Sequence, residues 1–266
     1  MDAKKVDQTV AEYVRWLRSW TSSEKTISAR RTVALSRLRE WGVEGMTADN
    51  VQQWLGRPDL SRWTRSTYHA HLNDLCGWLV ATGRLAENPM EGVRKPTRPS
   101  SLPRPLTEPD VERVLATATG RTRDWIMIAL LSGLRVHEIA KLRGEDVTED
   151  TIFVEGKGGT RAMLPTHPDI WEMASRYPRQ GYWFRGRSGP IKPYTITTRV
   201  SRVFDSLGLE GSIHRCRHTY GTRLLRGGTH IRVVQKLMRH ASLATTATYT
   251  AVDEDEMRAA ISRLSA

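Results

Sequence analysis

Cysteine is scarce: Cys76 and Cys216 are the two cysteines of 266 residues, far apart and outside any C-x-x-C pair. That argues against a disulfide framework or a cysteine-built zinc site, and it suits a reducing compartment. Long apolar runs are also missing. No stretch approaches the ~20 apolar residues needed to cross a bilayer, and the opening MDAKKVDQTVAEYV lacks the continuous apolar segment of a secretory signal. A soluble, cytoplasmic chain is expected. Internal repeats and low-complexity tracts are absent, and so are the carboxylate clusters that a two-metal nuclease uses.

Positive charge is abundant instead. Lys and Arg total 41 against 29 Asp and Glu, a formal net charge of +12. Arginine carries most of it, and its planar fork suits phosphate better than the point charge of lysine. A polyanion gains affinity for such a surface by counterion release, so a nucleic-acid partner is the first inference. Composition alone leaves open a basic protein without a specific anionic partner.

The length suits two domains. Residues 1–87 read as a compact four-helix unit: Val10, Tyr13, Val14 and Leu17 fall at helical spacing, as do Tyr68, Leu72, Leu75, Cys76 and Leu79, with shorter helices near 25–41 and 47–55. Gly83 is a plausible helix stop. Arg30, Arg31, Arg37, Arg39, Arg62 and Arg65 gather around the second and fourth helices, as either a solvated face or a phosphate-facing one. Residues 88–106 contain five of the twelve prolines and the basic residues Arg94, Lys95, Arg98 and Arg104, and they read as a stiff interdomain linker able to follow a DNA backbone. The second domain, 107–266, opens with a capping pattern at Thr107. It is expected to hold helices near 109–118, 122–132, 195–207, 214–226, 230–239 and 253–264, with a β-hairpin over 151–165. The fold class is mainly α with a small β-sheet (α+β).

Four stretches of the second domain carry residues fit for chemistry. In LLSGLRVHEIAKLR, Arg135 follows an apolar helix and a glycine break, and Glu138 lies three residues on, on the same face if a helix starts there. The pair is either a plain salt bridge or an arginine oriented by a carboxylate toward an anion. In EGKGGTR, Lys157 sits between glycines at the hairpin tip; the Gly-x4-Gly-Lys-Ser/Thr spacing of a phosphate cradle is not matched, so this is an exposed turn lysine or one that reaches a neighbouring site. In SIHRCRHTYGTRLLRGG, one helical face carries His214, Arg217 and His218. Zinc is disfavoured there by the four arginines at 215, 217, 223 and 226 and by the missing glutamate base. In VVQKLMRHASLATTATYTAV, His240 ends a helix and Tyr249 follows nine residues later; taken alone, Tyr249 reads as a half-buried anchor for the C-terminal segment. Together, two arginines, a lysine, two histidines and a tyrosine form a set suited to phosphoryl transfer without metal. Such transfer relies on donors aimed at the non-bridging oxygens and on a covalent nucleophile.

The order of these motifs resembles that of the tyrosine recombinases, the family of phage integrases and Xer-type recombinases. SGLRVHEIAKL is similar to the family's first arginine box, GKGGTRAMLP to its lysine-bearing hairpin, HRCRHTYGT to its His-x-x-Arg box and LMRHASLATTATYT to its last box. The match spans the second domain and departs at Arg239, where the family usually has glycine before the histidine. The resemblance implies a helical core-binding domain (1–87) and a catalytic domain (107–266) closing as a C-shaped clamp on double-stranded DNA. It implies Arg135, Lys157, His214, Arg217, His240 and the nucleophile Tyr249 as catalytic residues, with Glu138 supporting. DNA contacts are expected from Arg30, Arg31, Arg37, Arg62, Arg65, Arg94, Lys95 and Arg98.

The implied activity is site-specific strand cleavage and rejoining through a 3′-phosphotyrosyl link, with no metal or other cofactor. Phage or mobile-element integration is the preferred role and Xer-like dimer resolution the alternative; a type IB topoisomerase and a non-catalytic DNA-binding regulator are more distant ones. The first helix begins within about ten residues of Met1, leaving no room for the extra N-terminal domain of many phage integrases. One short site with two inverted half-sites is therefore expected, with a homotetramer on two sites and a monomer or weak oligomer off DNA. Met257, Ala260, Ile261 and Leu264 line an apolar stripe that packs on a neighbouring protomer or back on its own domain.

Overall fold

The computed structural model describes residues 2–97, 104–155 and 161–239, and these fall into two compact units that divide between Ser101 and Leu102. The first unit holds helices α1 (Ala3–Trp20), α2 (Glu24–Trp41), α3 (Ala48–Leu55) and α4 (Arg62–Ala81). Each starts on a polar cap: the side chains of Asp2, Ser23, Thr47 and Ser61 accept the backbone N–H of Lys4, Thr26, Asn50 and Thr64, satisfying donors that a helix start leaves orphaned. The periodic residues read from the sequence form the core, with Val10, Tyr13, Leu17, Leu72, Leu75, Cys76 and Leu79 all buried. Val14 and Tyr68 pack at its edge.

The described ends of the 88–106 stretch are less detached than its proline content suggests. Asn88 caps a 3-10 turn over Pro89–Gly92, and Met90 and Val93 join the first core. Leu106 is buried in the second core, its backbone N–H donating to Thr219 Oγ1 at 2.8 Å.

The second unit is built around α6 (Gly120–Ser132), preceded by α5 (Glu108–Thr117). Trp125, Ile126, Ile128, Ala129 and Leu130 are buried on several sides of α6, so this helix sits inside the domain, as an all-round apolar helix must. Against it pack α7 (Val136–Lys141), α8 (Pro168–Ala174), α9 (Pro193–Ser206) and α10 (Ile213–Arg226), and α10 also contacts α11 (Ile231–Met238). The hairpin is β1 (Thr151–Glu155) paired antiparallel with β2 (Arg161–Pro165), in register from Thr151 opposite Pro165 to Glu155 opposite Arg161. A second, minimal hairpin pairs β3 (Arg185–Gly186) with β4 (Gly189–Pro190). The mainly helical fold with a small sheet agrees with the expectation. Helix α8 and the β3–β4 pair were not foreseen; the expected helix over 253–264 lies outside the described residues. No helix among the described residues is long and apolar enough to cross a membrane.

Gly133 ends α6 with φ +62°, a left-handed cap. A Cβ there would stand 2.5 Å from Cδ1 of the Tyr220 ring. Alanine at this position adds the left-handed penalty of about 1–2 kcal/mol and must also displace a packed ring. Gly133→Ala is therefore expected to lower the unfolding free energy by about 2 kcal/mol or more, seen as an earlier urea midpoint by tryptophan fluorescence; an unchanged midpoint would contradict the geometry.

Candidate active site

The α6–α7 junction places the first arginine. After the Gly133 cap, Leu134 is buried and Arg135 takes an extended conformation as the N-cap of α7. Three residues on, Glu138 reaches back: its Oε2 accepts the Arg135 backbone N–H at 2.6 Å, while its Oε1 lies 3.3 Å from Arg135 Nη1. The salt bridge expected from the sequence is present, and the same carboxylate also holds the Arg135 backbone. The Glu138 side chain is 1% exposed, and a buried carboxylate is tolerable only when charge-paired and hydrogen-bonded. A second guanidinium, that of Arg239, completes the pairing with Nη2 at 2.5 Å from Oε2.

Helix α10 contributes Arg217, which is buried. Its Nη1 donates to the carbonyl of Gly133 and its Nη2 to that of Met238. Arg135 Nη2 donates to the next carbonyl along, that of Arg239, at 3.1 Å. Both arginines are thus tethered to the final carbonyls of α11, groups that a helix end leaves without intrahelical partners. His214 lies one turn before Arg217 on α10 and is exposed. His218 is half-buried, and burial, helped by His214 and Arg217, pushes its imidazole down to about 4, so it is neutral at pH 7. Burial likewise lowers His137 in α7.

The structure therefore brings Arg135, Glu138 and Arg217 to one place and sets His214 on the same helix as Arg217. Lys157, His240 and Tyr249 lie outside the described residues, and Arg98 does too. Among the basic residues expected to face DNA, Arg31, Arg62, Arg94 and Lys95 are exposed. Arg30 pairs with Asp74 at 2.6 Å, and Arg65 donates to the backbone carbonyls of Arg57 and Leu60. Arg37 sits inside the first unit rather than on its surface: it is 7% exposed, its guanidinium lies 4.5 Å from the Trp54 ring centroid and 4.9 Å from that of Trp41, and Glu40 pairs with it at 2.7 Å. Cation–π contact with two rings explains why a charged side chain is kept there. Among the described residues no group of three or more His, Cys, Asp or Glu is placed to hold a metal ion.

Among the described residues two guanidinium groups, those of Arg135 and Arg239, thus share one buried carboxylate, and a third, that of Arg217, holds the neighbouring helix ends. Such a centre suits an oxyanion: preset N–H donors in a low-dielectric setting hold charge far better than they would in water.

The profile of the phage integrase family matches residues 104–256, an interval containing all six motif residues. Tyrosine recombinase XerA of Pyrococcus horikoshii is 30% identical over 95% of this chain and 92% of its own. Tyrosine recombinase XerC of Mesorhizobium japonicum is 33% identical over 82% of this chain and 76% of its own. Of solved structures, the integrase of mycobacterium phage Brujita is 35% identical, with a TM-score of 0.52, over 97% of this chain and 92% of that one. The lambda integrase dimer bound to a core site has a TM-score of 0.75 at 18% identity, over 92% of this chain and 76% of that one, a likeness of fold. Profile, relatives and fold agree, and the chain belongs to the phage integrase family, the tyrosine recombinases.

Proposed function

We propose that this chain is a site-specific recombinase that cuts and rejoins DNA through Tyr249. The observation that carries the reading is the convergence of Arg135 and Arg217 on the end of α11, with Glu138 buried behind Arg135. In the proposed reaction these arginines hold the non-bridging oxygens of the scissile phosphate and His240 adds a further hydrogen bond. Tyr249 Oη attacks phosphorus and passes its proton to His214. The bond from phosphorus to the 5′-oxygen breaks, and Lys157 protonates the departing oxygen. A 3′-phosphotyrosyl ester and a free 5′-hydroxyl result. The 5′-hydroxyl of a partner strand then reverses each step, so one phosphoester replaces another and neither ATP nor a metal is consumed.

Residues 1–87 act as the core-binding domain and 107–266 as the catalytic domain. Joined by the basic 88–106 linker, they close around duplex DNA. Arg31, Arg62, Arg94 and Lys95 have the exposure that backbone contacts require, and Arg30, Arg65 and Arg98 join them, the buried Arg37 being set aside. One protomer occupies each of two inverted half-sites, and two sites synapse as a tetramer; the related lambda integrase has been captured as a dimer on a core site and as a tetramer on a Holliday junction. The reaction takes place in the cytoplasm, on the host nucleoid. Integration of phage or mobile-element DNA is the preferred role, supported by the 35% identity with the Brujita integrase. The XerA and XerC relatives support dimer resolution as the second reading.

Two variants test the chemistry on a nicked suicide duplex bearing the core site located by footprinting. Tyr249→Phe is expected to bind this DNA yet form no adduct on a denaturing gel, and a normal adduct yield would remove Tyr249 from the role. Lys157→Ala is expected to slow cleavage by roughly 100-fold or more, the usual span of general acid catalysis. A 5′-bridging sulfur, which leaves without needing a proton, should recover most of that loss. Equal defects on both substrates would limit Lys157 to DNA binding.

A further inference from the structure

Arg239 occupies the position where the resemblance leads one to expect glycine, and its backbone shows why glycine suits it. As the C-cap of α11 it has φ 52° and ψ 48°, and it is the one non-glycine residue with positive φ among the described residues. A side chain there costs about 1–2 kcal/mol relative to glycine. An arginine tolerated for solubility would at least point into water. This one turns inward: its side chain is 13% exposed, and Nη2 is spent on Glu138. Its Nε and Nη1 are buried with no hydrogen-bond partner among the described residues, although burying a donor unsatisfied is itself costly.

Anchoring Glu138 does not account for this. That carboxylate already accepts the backbone N–H and Nη1 of Arg135. Adding Arg239 puts a second cation beside Arg135, and burial together with Arg135 pushes the Arg239 guanidinium below its ordinary range while Glu138 pulls it back. Arg135, Arg217 and Arg239 against Glu138 leave the described cluster two positive charges in surplus. A phosphodiester carries one negative charge and gains a second on its non-bridging oxygens as tyrosine adds to phosphorus. The surplus matches the charge of that transition state rather than that of the resting protein. Backbone strain and unsatisfied donors kept together at a functional centre point to a ligand-directed role.

We propose that Arg239 is a third phosphate-binding arginine of this site, holding Glu138 with Nη2 and donating its remaining N–H groups to a non-bridging oxygen of the scissile phosphate. This rests on the reading of the site as a phosphoryl-transfer centre. The role is catalytic, and it is tied to the charge of the phosphate.

Arg239→Gly, which suits the left-handed backbone, separates charge binding from folding. Cleavage rates are compared on two nicked suicide duplexes of the same core sequence, one with a normal scissile phosphodiester and one with a methylphosphonate, which lacks the negative charge. On the phosphodiester the variant is expected to cleave roughly 100-fold more slowly than wild type, the scale of losing one preset donor group. On the methylphosphonate that gap is expected to close to about tenfold or less, since there is little charge left to neutralise. Wild-type cleavage of the phosphodiester by the variant, or the same loss on both substrates, would overturn the proposal. Arg239→Lys keeps a charge without the fork and carries the same comparison if thermal melting shows the glycine variant unfolded. Adduct formation by the wild-type chain is the separate control: its absence would count against the recombinase reading itself, whereas its presence beside an unaffected Arg239→Gly would refute only the role of Arg239.

Discussion

The arrangement of the site depends on one buried carboxylate. Glu138 has a side chain 1% exposed, and a carboxylate buried to that degree needs partners, because the desolvation penalty of a lone buried charge is several kcal/mol. Its partners are the backbone and guanidinium of Arg135 and the guanidinium of Arg239. Satisfying them fixes the start of α7, the direction of Arg135 and the close of α11 at once. Arg217 then locks the same region from α10 by donating to Gly133 and Met238. Helices far apart in the chain are joined through side chains reaching helix-terminal carbonyls, so the geometry of the arginines and the ends of α6, α7 and α11 are a single problem with a single solution.

The same logic explains which special backbone positions matter. Gly133 needs its left-handed φ and its lack of Cβ because the Tyr220 ring covers it, and its carbonyl is then free to face Arg217. Arg239 takes a left-handed φ without being glycine, and its side chain turns inward onto Glu138. One position does without a side chain, and the other makes use of one.

Long periodic elements were legible in the sequence. The apolar spacing of α1 and α4, the all-apolar run of α6 and the hairpin around a glycine-rich turn each state their period over enough residues to be read. Helix α8 spans seven residues and each strand of the second hairpin two, too few for any period to emerge. Of the site, residue types and their order pointed to Arg135, Glu138, His214 and Arg217, because each motif is local in sequence. What could not be read is what depends on distant partners. That Arg217 answers two helix-end carbonyls 84 and 21 residues away has no local signature. Arg37 shows the reverse error: in sequence it belongs to a basic patch, whereas in the fold Trp41 and Trp54 enclose it. Arg239 was visible as a departure from a pattern, but its burial against Glu138 required the fold.

The central claim is that this arginine cluster serves a phosphotyrosyl transfer at Tyr249, and mass spectrometry of a trapped complex tests it most directly. After nuclease and trypsin digestion of the wild-type adduct, cleavage following Arg239 and Arg258 releases residues 240–258, in which Tyr249 is the sole tyrosine. The account predicts fragment ions placing a 3′-linked nucleotide on Tyr249. A nucleotide on any other residue of the chain, or no covalent nucleotide on DNA that the protein binds and footprints, would contradict it.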